Sequence, residues 1–435
     1  MDSVKVGICG LGTVGSGTFA VLKRNAAEIS ARVGADIVVA QIGSRRDNPK
    51  CDTGAVVINR DVFAVAENPE IDILVELIGG TTVAKELVLK AIANGKHVVT
   101  ANKALIAEHG NEIFAAATEK GVTVAFEAAV AGGIPIIKAL REGLAGNKIQ
   151  WLAGIINGTG NFILSEMREK GRDFADVLAE AQELGYAEAD PTFDVEGIDA
   201  AHKLVILASL AFGIPLQFDK VFTEGISRIA QEDVIYAEEL GYRIKHLGIA
   251  RDTSEGIELR VHPTLIPEKR LIANVNGVMN AVLVQSDAVG PSLYYGAGAG
   301  GEPTASAVVA DIIDVARTLS SSQNSRVPYL SFKTESLSAH PILPIDAVET
   351  AYYLRMAAVD KPGVLSKVAQ ILSDGGISIE ALIQKEPADG ANLVPMIILT
   401  NRTIEAKLSA AVSQIEGLES IVGEVTRIRV ESLAG

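Results

Sequence analysis

The chain has 435 residues, 48% of them hydrophobic and 21% charged. This is an ordinary globular balance with room for about three domains, and it excludes bulk disorder. The net charge is -15 and basic residues occur in runs of no more than two, which argues against a nucleic-acid surface.

The opening MDSVKVGICGLG lacks the basic start and cleavage site of a secretory signal. The apolar run 204–218 is short for a membrane span, so no membrane association is expected. Cys9 and Cys51 are too few for a disulfide framework or a Cys-rich metal centre. A soluble cytoplasmic protein is the expectation.

Residues 1 to about 130 alternate apolar runs with helical periods. Strands are expected at 4–9, 37–42, 71–76, 97–100 and 122–126, with helices at 15–30, 85–93 and 112–120. Such alternation implies a parallel sheet covered on both faces. Gly10-Leu11-Gly12-Thr13-Val14-Gly15 follows the first strand directly and opens a helix. That is the context a dinucleotide fingerprint requires. Gly10 permits the turn, Gly12 lets the backbone approach a pyrophosphate, and Gly15 lets the helix pack on the strand. The helix N-terminus offers N–H groups and positive potential to the phosphates. Residues 1–130 therefore read as a Rossmann-type NAD(P)-binding domain.

The second strand ends in Gln41-Ile42-Gly43-Ser44-Arg45-Arg46, with no carboxylate for a ribose. Arg45 and Arg46 could pair with a 2′-phosphate, favouring NADP with NAD possible. The alternative is a pair of solvated loop arginines. Thr100-Ala101-Asn102-Lys103 falls at the carboxyl edge of the sheet, where ligands bind. Lys103 there holds an anion, moves a proton, or is simply a surface lysine.

Residues 131–303 do not alternate in this way and read as an α+β substrate domain. It begins in the Gly-rich passage Glu127-Ala128-Ala129-Val130-Ala131-Gly132-Gly133-Ile134. Carbonyls turned inward there suit a hard monovalent cation better than zinc. A helix at 136–144 and a strand at 149–155 precede the loop INGTGNFIL. Residues 172–250 are mainly helical by period, and short strands return at 258–263 and 282–286.

The window from Gly185 to Lys203 carries Glu188, Asp190, Asp194, Glu196 and Asp199 before one lysine. Asp199 and Lys203 are four apart and share a helix face. A surface ion pair is the plain reading. Against it, residues 204–212 are apolar on every face, so the helix is buried and a charged pair at its mouth is costly without a function. His202 lies on another face and reads as a packed residue. The run Gly296-Ala297-Gly298-Ala299-Gly300-Gly301 is a second backbone-approach loop or a linker. The helix after it, about 304–320, is expected to complete the first domain.

A polar break at 319–325 opens a linker, 321–349. From Tyr352 the order is strand 352–359, helix 364–374, strands 377–386 and 393–400, helix 403–414 and strand 419–429. This is a ferredoxin-like βαββαβ module, 350–435, long enough to fold alone. A cut before Thr350 is expected to spare the chemistry.

Together GICGLGTVGSG, VVTANKAL, FEAAVAGGIPII, INGTGNFILS, GYAEADPTFDVEGIDAAHKL and GAGAGGEPTASAVV resemble homoserine dehydrogenase over about residues 1–325. AAVDKPGVLSKVAQILSDGGISIEAL resembles an ACT domain, so the whole is similar to the monofunctional form with a C-terminal ACT domain. The resemblance implies NAD(P)-dependent interconversion of L-homoserine and L-aspartate 4-semialdehyde, on the route to threonine and methionine. It implies Lys203 as the proton-transfer lysine and Lys103 as a second essential lysine near cofactor and substrate. Glu188, Asp199 and Asp194 would serve the substrate. Gly185 and Gly300 match positions near the nicotinamide. The backbones of Glu127, Val130, Gly132 and Ile134 match a sodium site. In the ACT part Asp360, Gly363, Val364, Gly376 and Ile377 would line an effector site, with L-threonine the pathway-logical ligand. A dimerisation module without ligand is the alternative. The family also implies a homodimer or homotetramer.

Two other classes compete. An aspartate-semialdehyde dehydrogenase would need a catalytic cysteine, and Cys9 and Cys51 are poorly placed for that. A non-catalytic sensor would have no use for both lysines.

Overall fold

The computed structural model describes residues 3–319, 327–385 and 392–433. The expected break at 319–325 lies outside the described residues apart from Leu319, as do the start of the linker and the last residue of the strand expected at 377–386. Two compact units are present. The first comprises Met1–Gly158, Asp199–Val221 and Val278–His340; the second comprises Thr159–Ile198, Phe222–Gly277 and Pro341–Gly435.

The first unit holds six parallel strands: β1 (Ser3–Cys9), β2 (Asp36–Gly43), β3 (Val57–Asn59), β4 (Ile73–Glu76), β5 (His97–Thr100) and β6 (Val124–Ala125). Their order is β3-β2-β1-β4-β5-β6, so the winding reverses between β1 and β4. A crevice for a ligand opens at such a reversal, at the carboxyl ends of the strands. Val6, Ile8, Ile73 and Val75 are fully buried, as strands covered on both faces require. The late helix Gly301–Thr318 joins this core through Ala305, Val308, Ile312 and Val315. Each such aliphatic side chain contributes about 1.5–3 kcal/mol on burial.

Local details differ from the sequence reading. The helix expected at 15–30 is two helices, Thr13–Arg24 and Ala26–Val33, because Asn25 leaves helical geometry between them. The helix expected at 136–144 is one short turn, Ile136–Lys138, continued by a π-turn, Ala139–Gly143. The unit also holds an antiparallel sheet of Ile149–Ile155, Met279–Ser286 and Gly290–Ala297, and all but the first residue of the helix Ile198–Phe212.

In the second unit, Tyr242–Asp252 is a strand, not part of a helical stretch. It pairs along its whole length with Ile257–Pro267. Buried on both faces, it has no period of two to betray it, and cross-strand pairing overrides local preference. The C-terminal βαββαβ order is present, with Ile421–Val430, Glu349–Val359, Leu393–Thr400 and Ile379–Gln384 adjacent in that order and antiparallel. A two-residue strand, Thr403–Ile404, precedes the second helix, Glu405–Glu416.

This module is continuous with the rest of its unit. Ile421–Val430 runs parallel to Ile257–Pro267 at Thr264/Arg429 and Leu265/Val430. Beside that junction the buried Arg260 guanidinium donates to Glu431 (2.5 Å) and Glu258 (2.9 Å). Arg251 reaches the same two carboxylates. Arg429, equally buried, donates to Glu405 (2.5 Å) and Glu224 (2.7 Å). Burial opposes the charge on Arg260, but the two carboxylates prevail and hold its pKa above the ordinary arginine value. A buried charge is tolerated only when paired in this way.

Candidate active site

The carboxyl edge of the parallel sheet sets out a row of residues in register: Asn59, Gly43, Cys9, Glu76 and Thr100. The Gly10–Gly15 turn leaves this edge beside Cys9. Gly10 has φ +103°, and a Cβ there would lie 2.4 Å from the Leu77 carbonyl oxygen. Glycine is therefore required by both conformation and space. A Cβ on Gly12 would meet nothing within 4 Å, so this face of the turn is open. Gly12 also begins the helix Thr13–Arg24 with no side-chain cap. The first-turn N–H groups are thus available to an anion, and the turn fits a dinucleotide phosphate.

Gly300 is brought to the same place. It begins the helix Gly301–Thr318 at φ +119°, and a Cβ on Gly301 would lie 3.2 Å from the Thr13 carbonyl oxygen. Arg45 and Arg46 are exposed just beyond β2. Their loop is ordered by Ser44, which donates to the Arg46 carbonyl (2.6 Å), and by Asn48, which donates to the Leu11 carbonyl (3.0 Å).

The polar centre of this unit lies between two helices. Asn102 caps Lys103–Lys120 by accepting from the Leu105 N–H, which makes Lys103 the first helical residue. The Lys103 ammonium is 2.9 Å from Asp199 Oδ1. Lys203 donates to Asp199 Oδ2 (2.6 Å) and to the Ile156 carbonyl (2.7 Å). Asn157 donates to the same Asp199 oxygen (2.9 Å). Burial by itself would raise the Asp199 pKa; the Lys203 and Lys103 ammonium groups, with the hydrogen bonds, outweigh it and hold the carboxyl below the usual range. Asp199 is therefore ionised throughout the physiological range. Two cations share one anion, which leaves a local positive excess for an anionic substrate group. His202 is packed, as expected: it stacks on Phe218 at 4.0 Å and bonds Glu108 at 3.1 Å.

Gly185, Glu188 and Asp194 belong to the second unit. Gly185 follows the helix Phe174–Glu183 at φ +76°, and Gln182 donates to the Glu188 carbonyl. Glu188 is exposed and Asp194 half-buried.

Glu127 is buried, with its two carboxylate oxygens accepting from the Ile137 and Lys138 N–H groups (2.9 Å each). Its own N–H donates to Asp311 (2.7 Å). Burial, then the Asp311 charge, pushes its pKa up to about 7. Ala131 and Gly132 are consecutive left-handed residues, φ +53° and +42°, which turns the backbone back on itself between Val130 and Ile134. A non-glycine residue there is uncommon and held only by its surroundings. Carbonyl oxygens are the donors such a turn offers, consistent with a hard monovalent cation. Among the described residues, no group of three or more His, Cys, Asp or Glu side chains could hold a metal.

In the C-terminal module Asp360, Gly363 and Val364 line a cavity of about 330 Å³ together with Lys361, Gln384 and Met396. Gly376 and Ile377 are not among its lining residues. Ile377 is in the core with Val368 and Leu372.

Two positions escaped the sequence reading. Asn157 sits in a quoted motif, but nothing local showed that its amide would meet Asp199. Glu76 ends an apolar strand, and an acidic residue there was the available signal. Among the described residues, no helix is long and apolar enough to cross a membrane.

The chain matches the family described as homoserine dehydrogenase over residues 135–313. It matches the homoserine dehydrogenase NAD binding domain over 10–127 and the ACT domain over 352–418. The homoserine dehydrogenase of Pseudomonas aeruginosa is 71% identical over 433 residues, covering 100% of both chains. The crystal structure of a homoserine dehydrogenase from Thiobacillus denitrificans is similar with a TM-score of 0.95 and 62% identity, covering 99% of each chain. A hyperthermophilic archaeal homoserine dehydrogenase in complex with NADPH has a TM-score of 0.62 and 27% identity, covering 72% of this chain and 97% of its own. Matched from end to end at such identity, the chain belongs to the homoserine dehydrogenase family and is an NAD(P)-dependent oxidoreductase with a C-terminal ACT domain.

Proposed function

We propose that the chain reduces L-aspartate 4-semialdehyde to L-homoserine with NADPH, and the reverse, as a step toward threonine and methionine. The observation that carries the assignment of roles is the buried Asp199 carboxylate engaged by both Lys103 and Lys203. A bound nicotinamide supplies the hydride. Lys203, the more buried lysine, donates the proton that the aldehyde oxygen takes up as its carbon accepts that hydride. Asp199 holds this ammonium in place and keeps it charged before transfer. Lys103 attracts the substrate carboxylate. Resemblance assigns Glu188 and Asp194 to the substrate and Gly185 to the cofactor side. A spectrophotometric assay with L-homoserine and NADP tests the reading; activity only with another amino alcohol would overturn it.

NADP preference rests on the absence of a carboxylate after β2 and on the exposed Arg45 and Arg46. The archaeal relative in complex with NADPH points the same way. Replacing both arginines by alanine is expected to raise the KM for NADPH by about tenfold, a loss of roughly 1.4 kcal/mol, and to leave that for NADH unchanged. Equal KM values for NADPH before and after the change would remove Arg45 and Arg46 from the site.

A sodium ion at the Glu127, Val130, Gly132 and Ile134 backbone would brace the 127–134 turn. The ACT domain points to an amino-acid effector, which we assign as L-threonine in the Asp360–Gly363 cavity; about 300 Å³ is the lower end for a small-molecule site. Asp360→Ala is expected to raise the threonine concentration for half-inhibition about tenfold, by removing a partner for the ligand's ammonium. Undiminished inhibition in that variant would move the effector elsewhere. A homodimer or homotetramer would use sheet edges such as Gly290–Ala297 and Ile379–Gln384. A cytoplasmic location accords with this metabolic role.

A further inference from the structure

Glu76 is buried at the end of β4, between Cys9 and Thr100 in the row of strand ends. Its hydrogen-bond donors, the Thr100 hydroxyl, the Ile78 and Gly79 N–H groups and the Asn102 side-chain amide, are neutral. Thr100 Oγ1 donates to Oε2 (2.6 Å), and the Ile78 and Gly79 N–H groups donate to Oε1 (2.9 and 3.2 Å). A carboxylate buried among neutral donors is costly, and simple packing does not call for one. Its bonds are arranged in a ring. Thr100 Oγ1 accepts from the Asn102 N–H (3.0 Å). The Asn102 side-chain amide donates to the Gly80 carbonyl (2.7 Å), closing back on the loop that Glu76 holds. Asn102 is also the cap of the helix whose first residue is Lys103.

The ring ties together the two loops that leave β4 and β5. Gly79 and Gly80 are both left-handed, φ +70° and +72°, so little in the loop itself would fix its path. Leu77 is in backbone contact with Gly10, the first residue of the nucleotide turn. One carboxylate thus anchors the wall of the crevice and, through Thr100 and Asn102, the start of the lysine helix.

We propose that Glu76 is a positioning residue for the dehydrogenase reaction: it acts through Thr100 and Asn102 to hold Lys103 against Asp199. This rests on the roles given above to Lys103 and Asp199. Displacement of a reacting group by a fraction of an ångström to an ångström is enough to slow a reaction by tenfold to a hundredfold.

The test compares full-length wild type, Glu76→Ala, Glu76→Gln and Thr100→Val in steady-state kinetics with L-homoserine, with circular dichroism confirming the fold. Glu76→Ala is expected to lower kcat about twentyfold and to raise the KM for homoserine. Glu76→Gln keeps an oxygen for the Ile78 and Gly79 N–H groups and is expected to restore kcat to within about fivefold of wild type. A folded Glu76→Ala with unchanged kcat and KM overturns the proposal, and so does a Glu76→Gln variant as slow as the alanine. If Glu76→Ala does not fold, Thr100→Val breaks one arm of the ring; a kcat loss of about fivefold supports the proposal and none overturns it. A wild type inactive on homoserine would instead overturn the functional reading, so the two failures are distinguishable.

Discussion

Replacing Asp199 by alanine is expected to lower turnover by about 10²–10⁴-fold while leaving NADPH binding close to wild type. The carboxylate is the shared counter-ion of Lys103 and Lys203. Without it two ammonium groups face a buried space with no anion between them. Each then moves away or loses its proton, and neither can polarise a carbonyl in a fixed direction. The nucleotide turn is built from other residues, Gly10 to Gly15, and does not depend on this pair. Lys203→Ala should be as slow, since it removes the proposed proton donor itself. Steady-state rates with NADPH fluorescence titration separate the two effects. An Asp199→Ala enzyme with wild-type turnover would show that the lysines act independently of it.

The pH dependence follows from the sign of the Asp199 shift. Its folded pKa is depressed. Its contribution to stability is therefore full above the unfolded value, about 4, and is lost only as the pH falls further toward the folded one. No loss from this group is expected between pH 5 and 8.

The second large effect concerns stability. Glu431→Ala is expected to destabilise the second unit by about 3–5 kcal/mol, read as a lower denaturant midpoint. The reason is the Arg260 guanidinium, buried to 1% exposure, which would keep Glu258 but lose its 2.5 Å partner. Arg251 loses the same carboxylate. Glu431→Gln should cost less, since an amide oxygen still accepts from Arg260. Unfolding curves that superimpose for wild type and Glu431→Ala would show that Glu258 alone neutralises both arginines. A cut before Thr350 is consequently a poor way to isolate the chemistry from regulation. It removes Glu431, Arg429 and the strand beside Ile257–Pro267, and would expose charges that the intact unit buries. Substitutions within the Asp360 cavity avoid this.

Where a feature is local, the residues announce it. The six-residue glycine motif, its strand and its helix lie within one short stretch; Gly15 answers a steric demand from the Gly10 carbonyl beside it, while Gly12 leaves one face of the turn open. The alternation before residue 130 and the βαββαβ order after 350 are likewise patterns of period and turn. Asp199 and Lys203 fall on one helical face for the same reason. The strand Tyr242–Asp252 was hidden because burial on both faces removes the alternation that marks a strand. Gly376 and Ile377, which the resemblance assigns to an effector site, do not line the Asp360 cavity, and Ile377 is in the core of the module.

A dinucleotide-binding α/β sheet, a buried helix carrying an acid and a lysine, and a separate-looking sensor module are legible in the chain alone. Packing is what brings Lys103 to Asp199, ties two loops to Glu76 and sets Glu431 against Arg260 beside the joined strands. Backbone conformation is governed by residues a few places apart, so its signature is periodic and legible. A buried charge is governed by whatever the packed elements bring within about 3 Å of it, and those partners come from distant parts of the chain.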